Sequence, residues 1–86
     1  MSRARTMTTL ELVLKIQEEA LEVSQSLADG EPKLRTALEL ADLEYYLREV
    51  RDRIGVSREQ VDELLAKKLA QPYDKRDRPA AYLHIL

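Results

Sequence analysis

The sequence predicts an all-α fold: three helices followed by a C-terminal tail. Apolar residues recur at helical spacing, two capping-box signatures mark helix starts, and the two glycines fall where helices are expected to end. Hydrophobic residues make up 44% of the chain and charged residues 35%, which is typical of a folded helical protein rather than a disordered one. We expect residues 1–86 to form one domain.

The first helix is predicted over residues 9–28. The stretch "TTLE" opens it, because the Thr8 hydroxyl and the Glu11 carboxylate can each satisfy a free backbone N–H. The stretch "DG" ends it, because Gly30 can adopt the left-handed conformation. At about 100° per residue, one side of this helix carries a broad apolar arc. The arc consists of Leu10, Val13, Leu14, Ala20, Leu21 and Leu27, extended by Ile16 and Val23.

The second helix is predicted over residues 33–54, between Pro32 and Gly55. The third is predicted over residues 58–70, because "SREQ" repeats the capping box and a proline follows the helix. Residues 71–86 are basic and then apolar. A loop with a short strand and a loop with a turn both remain open for this tail.

The overall charge and composition exclude several classes of function. The net charge of -2 gives no attraction to a nucleic-acid polymer or an anionic membrane. The chain has no cysteine, so thiolate chemistry is excluded. No stretch is long and apolar enough to span a membrane, and "MSRART" lacks the apolar segment of a signal peptide. A cytoplasmic location is therefore expected.

Two short clusters of carboxylates stand out. "KIQEEALEV" contains Glu18, Glu19 and Glu22, and "ELADLEYYL" contains Glu39 and Asp42. Helical geometry places Glu18 and Glu22 on the polar side opposite the apolar arc, and Glu19 at its border. Glu39 and Asp42 instead lie within an apolar arc that covers most of the second helix. Residues three apart are neighbours on a helix, so each cluster offers one adjacent carboxylate pair.

These carboxylates have two interpretations. A solvated acidic face is the ordinary one, and it suits Glu18 best. Glu39 and Asp42 would repel each other at a site fit for burial unless Arg35, Arg53 or a divalent cation neutralised them. The short connection favours antiparallel pairing of the first two helices, which would bring both pairs into a nest of four carboxylates.

Oxygen ligands suit Mg²⁺, with Mn²⁺ as an alternative. A di-iron helical bundle normally adds a histidine three residues after a glutamate. The only histidine in this chain, His84, lies in the tail. The pattern therefore favours magnesium or manganese over iron.

At these residues the chain resembles the all-α NTP pyrophosphatases, the MazG-like group that includes phosphoribosyl-ATP pyrophosphohydrolase. The shared pattern is Glu-Glu-x-x-Glu followed, after a spacer, by Glu-x-x-Asp. "ELADLEYYL" is similar to the second motif helix of that family, and "IGVSREQVDELLAKKLAQ" to its third. The resemblance covers residues 13–76.

The resemblance implies a hydrolase that cleaves nucleotides between the α and β phosphates, releasing a monophosphate and pyrophosphate. It implies that Glu19, Glu22, Glu39 and Asp42 are the metal ligands. Glu18 would orient or activate the attacking water. A house-cleaning or regulatory role would follow.

The resemblance also implies substrate contacts. Lys67 or Lys68 would contact the phosphates, although solvated lysines at a helix end are an equally good interpretation. Tyr46 could stack on a base, although a tyrosine among leucines is more often part of the core. Some relatives carry an "RGGF"-like segment where this chain has "QPYDKR", and Tyr73, Lys75 and Arg76 are the candidates to replace it.

The resemblance further implies a helical bundle completed by oligomerisation. Many relatives have a further helix before the first motif, whereas residues 1–17 alone precede Glu18 here. The apolar arcs are also wider than three helices of one chain would use, so we expect a homodimer or homotetramer. Two alternatives remain open: phosphoribosyl-ATP pyrophosphohydrolase, and a non-catalytic helical interaction module that keeps the acidic motif.

Overall fold

A computed structural model describes residues 3–86 and confirms the all-α fold. The α-helices are α1 (Thr9–Ala28), α2 (Lys33–Ile54) and α3 (Arg58–Ala70). Their bounds coincide with those that the capping and glycine signals predict. Short 3₁₀ helices span Ala4–Thr6, Tyr73–Lys75 and Pro79–Ile85, so the described tail forms helical turns and contains no strand. Within residues 3–86, no helix combines the length and the apolar content that crossing a bilayer requires.

Reciprocal hydrogen bonds fix the start of α1. The Glu11 N–H donates to Thr8 Oγ1 at 3.1 Å, and the Thr8 N–H donates to Glu11 Oε1 at 2.9 Å. The hydrogen bond from the Thr8 backbone lowers the pKa of Glu11 below 4.5. Ser57 and Gln60 form the same capping box at the start of α3, with distances of 3.1 and 2.9 Å. Both predicted capping boxes are therefore confirmed.

A tight connection turns the chain from α1 into α2. Gly30 has φ of 64°, in the left-handed region that favours glycine, and the Glu31 N–H donates back to the Ser26 carbonyl at 3.1 Å. Side chains then meet in reverse order along the two helices: Ser26 contacts Thr36 near the connection, and residues farther from it on α1 contact residues farther along α2. The connection thus produces the predicted antiparallel hairpin.

Contacts group the chain into two compact units, with the boundary inside α2 after Val50. In the N-terminal unit, Ala4, Leu12 and Tyr46 are buried, and Met7, Ile16, Tyr45 and Val50 pack against them. In the C-terminal unit, α3 contacts the last 3₁₀ helix, where Gln60 Nε2 donates to the Ile85 carbonyl at 3.3 Å. The expectation that residues 1–86 form one domain stays a prediction.

The side of α1 that faces α2 carries the carboxylates, and not the apolar arc. The buried residues of α1 are Leu12, Glu19 and Ser26, which are seven residues apart and lie roughly opposite the apolar arc. Leu10 and Leu27 of the arc are 68% and 72% exposed. Glu22, on the polar side opposite the arc, is half-buried beside Glu39 of α2, as a nest of carboxylates between the two helices requires. One neighbouring helix covers only one side of α1, and the apolar pattern does not specify which side.

We predict that Thr8→Ala destabilises the protein by about 1 kcal/mol, because the change removes the side-chain acceptor of the α1 capping box. Thr9→Ala is the matched control, since it changes the same residue type one position later and alanine is a good helix former. Urea unfolding followed by circular dichroism measures both. Equal effects of the two changes would contradict the capping role.

Candidate metal centre

Three of the predicted carboxylates lie together in the N-terminal unit. Glu19 and Glu22 project from α1, and Glu39 projects from α2 across the hairpin. One carboxylate oxygen from each lies within 4.8 Å of the other two. The three-residue spacing on α1 places its two carboxylates side by side, and the antiparallel turn supplies the third. We call Glu19, Glu22 and Glu39 the acid group.

Glu19 is the most deeply buried member of the acid group, with 6% of the residue exposed. Its Oε1 lies 3.4 Å from Lys15 Nζ, but within the described chain no group donates a hydrogen bond to its Oε2. A buried carboxylate oxygen without a donor is costly. A cation bound by the acid group would compensate for that cost.

The second member, Glu22, has a perturbed ionisation. The charge of Glu19, desolvation and the nearby Glu39 carboxyl raise the pKa of Glu22 above 4.5. Like charges in close proximity disfavour ionisation, so a proton or a metal ion at this place lowers the repulsion. Without a bound metal ion or proton, the carboxylates of the acid group therefore repel one another.

Two cationic side chains flank the acid group. Lys15 Nζ lies 3.2 Å from Glu18 and 3.4 Å from Glu19, and 5.8 Å from the centre of the Tyr46 ring. Arg35 Nε lies 3.8 Å from Glu39 Oε1, so it provides the neutralising contact that the sequence allowed for. These two contacts offset part of the repulsion within the acid group.

The other two predicted acidic residues lie outside the acid group. Glu18 is bound by Lys15, and its side chain is 56% exposed. Asp42 is half-buried near Tyr46, where its charge helps to raise the pKa of that tyrosine after the larger effect of burial. The structure thus assembles three of the four predicted ligands, and the ligand role of Asp42 stays a prediction.

Tyr46 belongs to the core. Its residue is 7% exposed, and its ring meets Tyr45 edge-to-face with centroids 5.0 Å apart. This burial favours the alternative role of Tyr46 in the core. A contact between Tyr46 and a nucleobase stays a prediction.

An open polar cleft of about 700 Å³ adjoins the acid group. Ser26 borders it and is buried; its hydroxyl contacts Thr36 Oγ1 at 2.7 Å and Glu31 Oε2 at 3.2 Å. The cleft is lined by Glu22, Gln25, Ser26, Asp29, Glu31, Arg35 and Glu39.

The sequence analysis did not identify Ser26 or Lys15 as neighbours of the acid group. Helical spacing could have identified both, because residues four or seven apart lie on the same side of a helix. Lys15 precedes Glu19 by four residues, and Ser26 follows it by seven.

The predicted phosphate contacts lie in the C-terminal unit. Lys68 and Arg76 both line a cavity of about 320 Å³, whereas Lys67 and Lys75 do not. Lys68 Nζ lies 3.6 Å from Asp77 Oδ1, and the Arg76 guanidinium lies 5.4 Å from the Tyr73 ring centre. The unequal placement of Lys67 and Lys68 agrees with the rotation between neighbouring helical residues. Phosphate binding by these four cations stays a prediction.

The chemistry of the acid group fits a hard divalent cation. Its donors are carboxylate oxygens, the ligands that Mg²⁺ and Mn²⁺ prefer, and one buried oxygen, Glu19 Oε2, accepts no hydrogen bond from residues 3–86. Comparison of the chain with protein-family models, curated proteins and solved structures finds no match. The resemblance to the NTP pyrophosphatases therefore rests on the motif residues themselves.

We predict that Glu22→Gln stabilises the metal-free protein at pH 8 and that this gain disappears as the pH falls below about 4.5. A carboxyl whose folded-state pKa is raised contributes stability below its unfolded pKa and loses it as the pH rises through the folded value. Thermal unfolding in a chelator between pH 4 and pH 8 measures the difference. Glu63→Gln, on the exposed surface of α3, should show no such trend. A variant less stable than wild type at pH 8 would contradict the prediction.

Proposed function

We propose that this chain is a Mg²⁺-dependent nucleoside triphosphate pyrophosphohydrolase that releases a nucleoside monophosphate and pyrophosphate. The observation that carries the proposal is the unpartnered, buried Oε2 of Glu19 within the acid group. A structural acid would normally find a donor there, whereas a metal ligand needs an oxygen free of donors. The motif order, with the acids divided between two helices, adds the reaction class.

The proposed roles follow the positions of the side chains. Glu19, Glu22 and Glu39 would hold the cation, and Asp42, three residues after Glu39, is the fourth proposed ligand. When bound, Mg²⁺ would offset negative charge on the phosphates and favour ionisation of water. Glu18, exposed beside the acid group, would orient the attacking water and accept its proton, and its contact with Lys15 holds the carboxylate in place.

A homodimer or homotetramer is part of this proposal. Leu10, Leu14 and Leu21 form an exposed row on the side of α1 that faces away from α2, and Leu34 and Leu38 are exposed on α2. Burial of apolar surface contributes roughly 25 cal/mol per Å², so a second copy that covered these rows would stabilise both chains. Such an arrangement would also complete the helical bundle.

The same exposed rows favour a second candidate, a non-catalytic helical interaction module. In that case the leucines would bind another protein, and the acid group would be a remnant. Magnesium separates the candidates, because a ligand that binds only the folded state raises stability, by about 2.7 kcal/mol at 100 times its Kd. A melting temperature that does not respond to millimolar Mg²⁺ would favour the module.

We predict that Glu39→Gln lowers Mg²⁺-dependent pyrophosphate release by about 100-fold or more, because metal-ion stabilisation of transition-state charge contributes several kcal/mol. The metal-free variant should be at least as stable as wild type, since one repelling charge is removed. A panel of nucleoside triphosphates assayed for pyrophosphate measures the activity. Glu63→Gln serves as the control, and undiminished activity of Glu39→Gln would refute the ligand assignment.

For assembly, we expect light scattering at micromolar concentration to give a dimer or tetramer. The double change Leu14→Lys and Leu21→Lys should yield a monomer that keeps its helical circular dichroism. The two positions are seven residues apart and therefore share one direction on α1, where two charges would oppose burial. A wild-type monomer would contradict the assembly, and an unchanged oligomer of the variant would place the interface elsewhere.

A further inference from the structure

Arg35 occupies a distinctive position beside the acid group. Glu31 lies in the connection before α2 and Glu39 lies one helical turn after Arg35 on α2, and Arg35 contacts both carboxylates. Its Nε is 3.5 Å from Glu31 Oε2 and 3.8 Å from Glu39 Oε1. The two partners differ in how firmly they are held.

Glu31 is the fixed partner. The buried Ser26 hydroxyl donates to Glu31 Oε2 at 3.2 Å, which orients the carboxylate toward Arg35. Glu39, in contrast, is the member of the acid group that α2 contributes. A cation held by the acid group would compete with Arg35 for Glu39 while leaving the contact with Glu31 in place.

The exposure of Arg35 allows this exchange. Its side chain is 64% exposed, so the guanidinium can return to solvent on leaving Glu39, and a cation held by the acid group would replace its charge beside that carboxylate, which is 18% exposed. Among the residues of the described chain that line the cleft, Arg35 alone is cationic, whereas Glu22, Asp29 and Glu31 are acidic. A polyphosphate that approached the acid group would therefore meet one cationic side chain at this cleft.

We infer that Arg35 is a phosphate-contacting residue that serves as the counter-ion of Glu39 until a metal ion is bound. When the acid group holds a cation, the guanidinium leaves Glu39, stays anchored to Glu31 and turns toward the phosphate oxygens. Its planar fork of donors suits phosphate. The inference rests on the proposed function, which supplies the cation and the phosphate.

The inference predicts that one variant binds Mn²⁺ more tightly and pyrophosphate more weakly than wild type does. Arg35→Gln should bind Mn²⁺ alone about threefold tighter at pH 8, because a competing positive charge is removed. With saturating Mn²⁺, it should bind inorganic pyrophosphate about tenfold more weakly, because a charge-assisted contact is lost. In turnover, KM should rise about tenfold with kcat within about twofold, as expected for loss of a contact made equally in the ground and transition states.

Two further variants sharpen the test. Arg35→Lys keeps the charge, so its affinity for Mn²⁺ should match that of wild type, and it should recover part of the affinity for pyrophosphate. Lys33→Gln removes an equal charge from an exposed position two residues earlier, roughly 200° around the helix, and should leave both affinities unchanged. Isothermal titration calorimetry measures Mn²⁺ and pyrophosphate binding, and circular dichroism checks that each variant is folded.

The outcomes separate this inference from the proposed function. If wild type binds Mn²⁺ and releases pyrophosphate but Arg35→Gln matches it in both affinities, the inference alone is overturned. If Arg35→Gln weakens both affinities, its role is structural and the inference is likewise overturned. If wild type binds no Mn²⁺, the metal centre and the inference fail together.

Discussion

The burial of the Glu19 carboxylate where α1 meets α2 is the constraint around which the candidate site is arranged. The carboxylate lies against Glu22 on its own helix and Glu39 on the next, and its Oε2 has no donor within residues 3–86. Two helices meeting at three carboxylates would ordinarily separate, because repulsion grows as the local dielectric falls. Lys15 and Arg35 reduce that repulsion from either side. A metal ion bound by the acid group would offset the repulsion that these two side chains leave.

The two ends of the hairpin hold α1 and α2 together by different kinds of contact. At the end far from the connection, Leu12 and Tyr46 belong to a small apolar cluster that the Ala4–Thr6 turn closes, with the Ala4 N–H donating to Tyr45 Oη at 3.3 Å. Near the connection, Ser26 and Thr36 replace apolar contact with a hydrogen bond. The acid group lies between these layers. Apolar packing at one end therefore holds the acid group together, although its carboxylates repel one another. Binding sites commonly rely on stable packing outside the residues that bind the ligand.

The local signals in the sequence were sufficient for the helices and most of the acid group. Both capping boxes and Gly30 specified where helices begin and end, because those features depend on a few neighbouring residues. The orientation of α1 was not predictable in the same way. Its apolar arc and its carboxylates indicated two different sides for burial, and α2 contacts the carboxylate side, along Leu12, Glu19 and Ser26. Side-chain positions such as those of Asp42 and Tyr46 depend on that orientation, so residue patterns alone could not assign their surroundings.

The tight turn at Gly30 also sets the alignment of the two helices that carry the acid group. Each residue advances a helix by about 1.5 Å and turns it by about 100°, so an insertion within α2 ahead of Glu39 would carry that carboxylate away from Glu19 and Glu22. An extra residue in the tail would leave the acid group intact. The stretch from residue 19 to residue 39 is therefore the part of the chain in which length, and not only residue identity, is under constraint. During divergence, substitutions there would be tolerated more readily than insertions or deletions.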